Sequence, residues 1–300
     1  MLLSMRGSVT VSAGENPTPD AARNGGAART AGMRGRIAGR PPAKQFGSQH
    51  RADSDRMANR RASQRRDPAP TDSEPSRPEL APDVDPSELD QEVRKELSTL
   101  PKRLADLVGS HLVMAARVLD DDPQLALAHT RFARSKASRV AAVREAAGLA
   151  AYVAGEWSEA LGELRAARRL GGDPGRLAVL ADCERALGRP EHALEIARSP
   201  QAGQLGVDEA VELRIVAAGA RRDLGQFDAA VVALQGPDLD EAGEEPWRAR
   251  LRYAYADNLL AAGRHEDAIR WFLAAAEADV EGATDAAERA VELSERPEAE

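Results

Sequence analysis

From about residue 86 onward, apolar residues recur at three- and four-residue intervals, in stretches interrupted by Gly, Pro and Asp. That pattern belongs to consecutive amphipathic helices. The first predicted helix runs from 86 to about 99, with Asp85 as cap, Pro86 in the first turn and Glu88 near the positive N-terminal end. It carries Leu89, Val93, Leu97 and Leu100 along one stripe. Pro101 opens a second helix to about 119, with Leu104, Val108, Leu112 and Ala115 on one face. The DDDP run at 120–123 is a turn and a helix start, and its helix bears Leu125, Ala126, Ala133 and Ala137. Helix pairs then follow at 140–154 with 157–170, 176–187 with 191–198, and 208–224 with 228–235. A fifth pair starts near Pro246, and a last helix, capped by Thr284, turns Ala287, Ala290 and Val291 inward as far as about 293.

The pairs are copies of one pattern. In YADNLLAAGRHEDAIRWFLAAAEAD, residues 255–279, Gly263 closes one helix and Ala268 follows five residues later, with Trp271, Phe272 and Ala275 on its face. A small residue there lets two antiparallel helices approach closely. Gly155 with Ala160, Gly188 with Ala193, and Gly225 with Ala230 repeat the offset, and Ala126 marks a weaker copy with Asp121 in place of the glycine. The alanines at 126, 160, 193, 230 and 268 are 34, 33, 37 and 38 residues apart, a period belonging to stacked helical hairpins.

Those residues resemble the tetratricopeptide-repeat family. The sites seven and four residues before the turn glycine hold Gly148 and Ala151, Ala181 and Glu184, Ala218 and Arg221, then Ala256 and Leu259. Residues 79–300 also resemble an actinobacterial family of such proteins with Arg-rich N-terminal tails. The resemblance implies an all-α, right-handed superhelical array of about five divergent hairpins with N- and C-terminal capping helices. It further implies a concave face made by the first helix of each hairpin, on which an extended peptide or partner helix lies. The matching positions are His111, Glu145, Tyr152, Asp182, Arg185, Arg222, Arg250, Tyr253 and Asp257. Family members that grip a terminal carboxylate do so with Lys and Asn. Here His111, Ala115, Ala142 and Ala146 occupy those places, which disfavours that ligand.

Composition fits this reading. Apolar residues make up 42% of the 300, but only ten are aromatic, so an Ala, Leu and Val core of closely packed helices is expected. Residues 1–78 hold 14 basic and 7 acidic side chains against 27 and 42 in the remainder. The first segment, rich in Gly, Pro, Ser and Arg, is expected to be a disordered basic tail before the 79–300 repeat domain. Met33 and Met57 are further potential starts within it. Twelve basic residues between Arg23 and Arg66 make RNA or ribosome contact the alternative function, although Phe46 is the one aromatic within residues 1–78 and stacking platforms are lacking.

Catalytic chemistry finds little support. His50, His111, His129, His192 and His265 fall in no metal-binding spacing, and there is no GxSxG, Walker loop or Cys pair. His129, His192 and His265 fall on second helices and are expected at the surface. The GGDPG run at 171–175 lacks the strand and the Lys-Ser/Thr ending of a phosphate cradle, so it is expected to end one helix and start the next. No cofactor is implied, and no apolar run is long enough for a membrane span. The expectation is a soluble, cytoplasmic, non-catalytic scaffold for a protein or peptide partner.

Overall fold

The computed structural model describes residues 77–171, 176–240, 243 and 245–295. Among them the chain is all-helical, with thirteen α-helices and no strand. They are α1 (Gln91–Leu97), α2 (Lys102–Val118), α3 (Pro123–Ala137), α4 (Ala141–Val153), α5 (Trp157–Arg169), α6 (Leu177–Ala186) and α7 (Pro190–Ala197). Then come α8 (Val207–Asp223), α9 (Phe227–Leu234), α10 (Pro237–Asp240), α11 (Pro246–Ala261), α12 (His265–Ala278) and α13 (Ala286–Glu295). Successive helices pack in pairs, α2 with α3, α4 with α5, α6 with α7, α8 with α9 and α11 with α12, and α13 packs on α12.

The turn inside four of these pairs is the same structure each time. Gly155, Gly188, Gly225 and Gly263 have φ between 72° and 80°, a region in which only glycine is unstrained. The glycine N–H bonds the carbonyl three residues back, and the next N–H reaches five back: Gly155 to Tyr152 at 3.1 Å and Glu156 to Ala151 at 2.8 Å, Gly263 to Leu260 at 3.0 Å and Arg264 to Leu259 at 2.9 Å. This double closure satisfies two carbonyls that the helix end would leave bare. The alanine five residues on, at 160, 193, 230 or 268, is fully buried at the crossing. Gly148 permits a second close approach, since a Cβ there would stand 2.6 Å from Leu164 Cγ.

Three apolar clusters form the interior. One joins Leu89, Val93 and Leu97 to Val108, Leu112, Ala133 and Val143. The second centres on Leu149, Leu161, Leu164, Leu177, Leu180 and Leu213, and the third on Val211, Trp247, Leu251, Leu259 and Phe272. Small side chains at the crossings and leucines between them fill most of the space, with Phe132, Tyr152, Trp247, Tyr255 and Phe272 as the buried aromatic rings.

Four local expectations are corrected. The helix from 86 is broken: Asp85 and Glu88 close a capping box on a single 3-10 turn (Pro86–Glu88), Leu89 is extended, and α1 begins only at Gln91. Pro237 does not merely stop α9 but starts the one-turn α10. Thr284 does not cap the last helix, because its hydroxyl and N–H both go to Asp279, at 2.6 and 2.7 Å. The inward face of α13 is set by Ala286 and Ala290, while Ala287 and Val291 are exposed. The tail to residue 76 and loop residues 172–175 lie outside the described residues.

Candidate functional site

The pattern continues into polar contacts between the first helices of successive pairs. Three residues before the turn glycine, at the end of α4, Tyr152 donates its hydroxyl to Asp182 of α6 at 2.6 Å. Asp182 stands six residues before its own turn glycine. The arrangement recurs two steps on: Arg222, three before Gly225, pairs with Asp257, six before Gly263. Between them the matching residues are Arg185 and Gly219. Glycine offers no acceptor but leaves room, so the Arg185 guanidinium lies over Gly219, where a Cβ would meet Nη1 at 3.2 Å, and reaches Asp223 at 2.6 Å.

Arg185 also bonds Asp182 at 2.7 Å, so Tyr152, Asp182, Arg185 and Asp223 form one continuous run across α4, α6 and α8. A second run crosses α8, α11 and α13 through Arg222, Asp257 and Arg289, whose Nη2 is 3.5 Å from Asp257. Tyr253 of α11 donates to Asp285, just before α13, at 2.7 Å. The charged members are 14–38% exposed, which leaves them open to solvent and a ligand on one side. Burial alone would lower the Arg185 guanidinium, but its bond to Asp223 and the charge of Asp182 outweigh that and hold it up. Burial, then the hydrogen bond to Asp285, pushes the Tyr253 phenol up to about 12. Tyr152 is raised as well, by burial and then the charge of Asp182. Both therefore donate hydrogen bonds throughout the ordinary pH range.

Of the nine positions carried over from the resemblance, five are on this face and half-exposed: Asp182, Arg185, Arg222, Tyr253 and Asp257. Tyr152 belongs to the run but is buried, its ring edge-on to Trp157 at 5.4 Å, and only its hydroxyl takes part. The other three are corrected to interior positions. Glu145 is buried against the Arg176 guanidinium at 2.8 Å, and Arg250 against Glu212 at 2.6 Å. Removing one partner of such a pair leaves a buried charge uncompensated, so both pairs are structural. His111 is fully buried on α2, its Nδ1 2.9 Å from His129 Nδ1 and its ring against Phe132. His129, expected at the surface, is thus a core residue, because α3 turns it onto α2; His192 and His265 are exposed.

Sequence reasoning missed Asp223, Asp285 and Arg289. The offsets of three and six residues before the glycine carry the signal for Tyr152–Asp182 and Arg222–Asp257, but Asp223 answers a glycine at the expected acceptor site and has no such marker. It also missed Glu184, fully buried and flanked by Arg165 at 2.5 Å and Arg189 at 2.6 Å, the latter out of line for a hydrogen bond. Cys183 beside it is buried, and burial followed by the neighbouring carboxylates pushes its thiol up to about 12, so it is no ready nucleophile. Among the described residues no helix is long and apolar enough to cross a membrane, and no group of three or more His, Cys, Asp or Glu is placed to hold a metal ion. No protein-family model matches the chain, and no curated protein is significantly similar to it in sequence.

Proposed function

We propose that the chain is a non-catalytic interaction scaffold of tetratricopeptide-like repeats that takes a peptide or partner helix against the face formed by α4, α6, α8 and α11. The supporting observation is the repeated polar run, in which half-exposed acids and bases and the hydroxyl of the buried Tyr152 come from successive first helices, Tyr152, Arg185 and Arg222 three residues and Asp182 and Asp257 six residues before their turn glycines. Carboxylates and guanidinium groups in alternation suit the amides and mixed charges of a polar peptide, and each retains lone pairs or N–H groups beyond those it shares with its neighbour. Because these residues also join one helix to the next, truncating them would confuse binding with stability. The charge swap Arg222→Asp/Asp257→Arg/Arg289→Asp avoids this by keeping both internal pairs of Asp257 and reversing the field a ligand meets.

The experiment is a pull-down with the full chain to identify a partner, followed by affinity measurement on the swap. Loss of affinity by about tenfold or more, with the thermal midpoint unchanged, is expected for a ligand on this face. Undiminished affinity would place the partner elsewhere.

A further inference from the structure

The second helices α7 and α9 are eight residues each, where α5 and α12 have 13 and 14. Between them α8 runs for 17 residues, so its flank is only partly covered, by a 3-10 turn (Pro200–Gln204) and α10. A pocket of about 320 Å³ opens there. Leu194 and Ala197 from α7, Leu213 and Ala217 from α8 and Ala233 from α9 line it. On a 3.6-residue helix, Leu213, Arg214, Ala217 and Arg221 share one face, opposite Gly219, Arg222 and Asp223. The pocket is therefore separate from the polar run.

Its polar groups are cationic, in an otherwise acidic part of the chain. Arg198, Arg214 and Arg221 border it. Arg214 donates one Nη to Asp238 at 3.0 Å, while its Nε is buried with no hydrogen-bond partner. Arg198 and Arg221 meet no acidic side chain among the described residues. The nearby Glu209 is turned away onto the Gly206 N–H at 2.9 Å. An apolar floor with an orphaned guanidinium N–H and two uncompensated arginines calls for a ligand with an aliphatic body and one planar anionic end.

We propose that this pocket binds an aliphatic carboxylate, its chain on Leu194, Leu213 and Ala217 and its carboxylate against Arg214 and Arg221, with Arg198 closing the mouth. The proposal does not depend on the peptide-binding face. A free short-chain acid and the terminal carboxylate of a peptide ending in an apolar residue share this chemistry.

Isothermal calorimetry on the full chain separates them with octanoate and with acetyl-Ala-Ala-Leu as the free acid; acetate, octanol and the peptide amide serve as controls. At least one of the two acids should bind about tenfold or more tightly than its matched control, and Arg198→Gln/Arg221→Gln should lose about tenfold. Tighter binding of octanoate assigns the site to a free acid, and tighter binding of the tripeptide to a chain terminus. Both arginines are solvent-accessible, so an unchanged thermal melt should accompany the loss. Ala210→Glu, one helical turn from Arg214, supplies a carboxylate from the chain itself and should also weaken binding. No heat from either acid, equal binding of octanol, or full binding by the double variant would overturn the proposal.

Discussion

His111 and His129 form a fully buried polar contact between α2 and α3. A bond between two Nδ1 atoms requires opposite tautomers, one ring carrying its proton on Nδ1 and the other on Nε2. Both Nε2 atoms are buried without a partner, so neither ring gains by taking a second proton. Burial, then the charges of His129 and Arg77, pushes His111 from 6.5 down to about 4, and burial lowers His129 too. The unfolded chain takes up these protons near pH 6.5, whereas in the folded chain His111 resists protonation until about pH 4 and burial lowers His129 in the same direction. Stability is therefore complete above about pH 6.5, falls as the pH drops towards 4 and levels off below, His111 alone accounting for up to about 3 kcal/mol. Urea denaturation at pH 7.5 and pH 5 should show the fall in the natural chain and little of it in His111→Leu/His129→Leu, which removes both polar partners together. A His111 ring titrating near pH 6.5 by NMR would refute the account. The apolar stripe of α2 placed His111 at its margin, beside Leu112 and three residues from Val108. Its depth was not legible, because α3 decides whether a marginal position is covered.

At the scale of the element, the two kinds of glycine answer different demands, and substitution should separate them. A Cβ on Gly263 would meet nothing within 4 Å, so alanine there suffers only the left-handed backbone, about 1 kcal/mol. A Cβ on Gly148 would strike Leu164 Cγ and Cδ2 inside 3 Å, and α4 and α5 must part to admit it. Gly148→Ala should therefore cost more, about 1–3 kcal/mol or above. Thermal or urea melts of the two variants compare them directly, and a Gly148→Ala cost no greater than that of Gly263→Ala would show that Leu164 yields freely. The turns were legible in the sequence because a positive φ is a local requirement that glycine alone meets cheaply. The break at Leu89 was not, since it serves a tertiary end, turning that leucine into the core. The shortness of α7 and α9 was legible as well, since the expected helices at 191–198 and 228–235 match their eight residues, but Pro200 and Pro237 mark where helices stop without saying what then covers α8.

Across the whole set of helices, the polar run was half legible. Its acids, bases and phenols could be placed on first helices from the repeat alone, but their pairing across repeats required the helices to be set side by side. One further feature bears on how the molecule comes apart. Helix α8 supplies Leu213, Val216 and Ala217 to the middle apolar cluster and Val211 and Ala218 to the last. The two clusters thus share α8 as a wall without merging. Native-state hydrogen exchange should resolve this as two cooperative units with different opening free energies. Leu251→Ala, which empties a fully buried site in the last cluster at a cost of about 2–5 kcal/mol, should speed exchange in α11 and α12 while sparing α4 and α6. Equal acceleration throughout would mean that α8 couples the two units into one. If the difference is observed, the C-terminal helices can open and close at equilibrium while the middle of the molecule keeps its amides protected, and among the described helices a protease would find its first cut beyond α8.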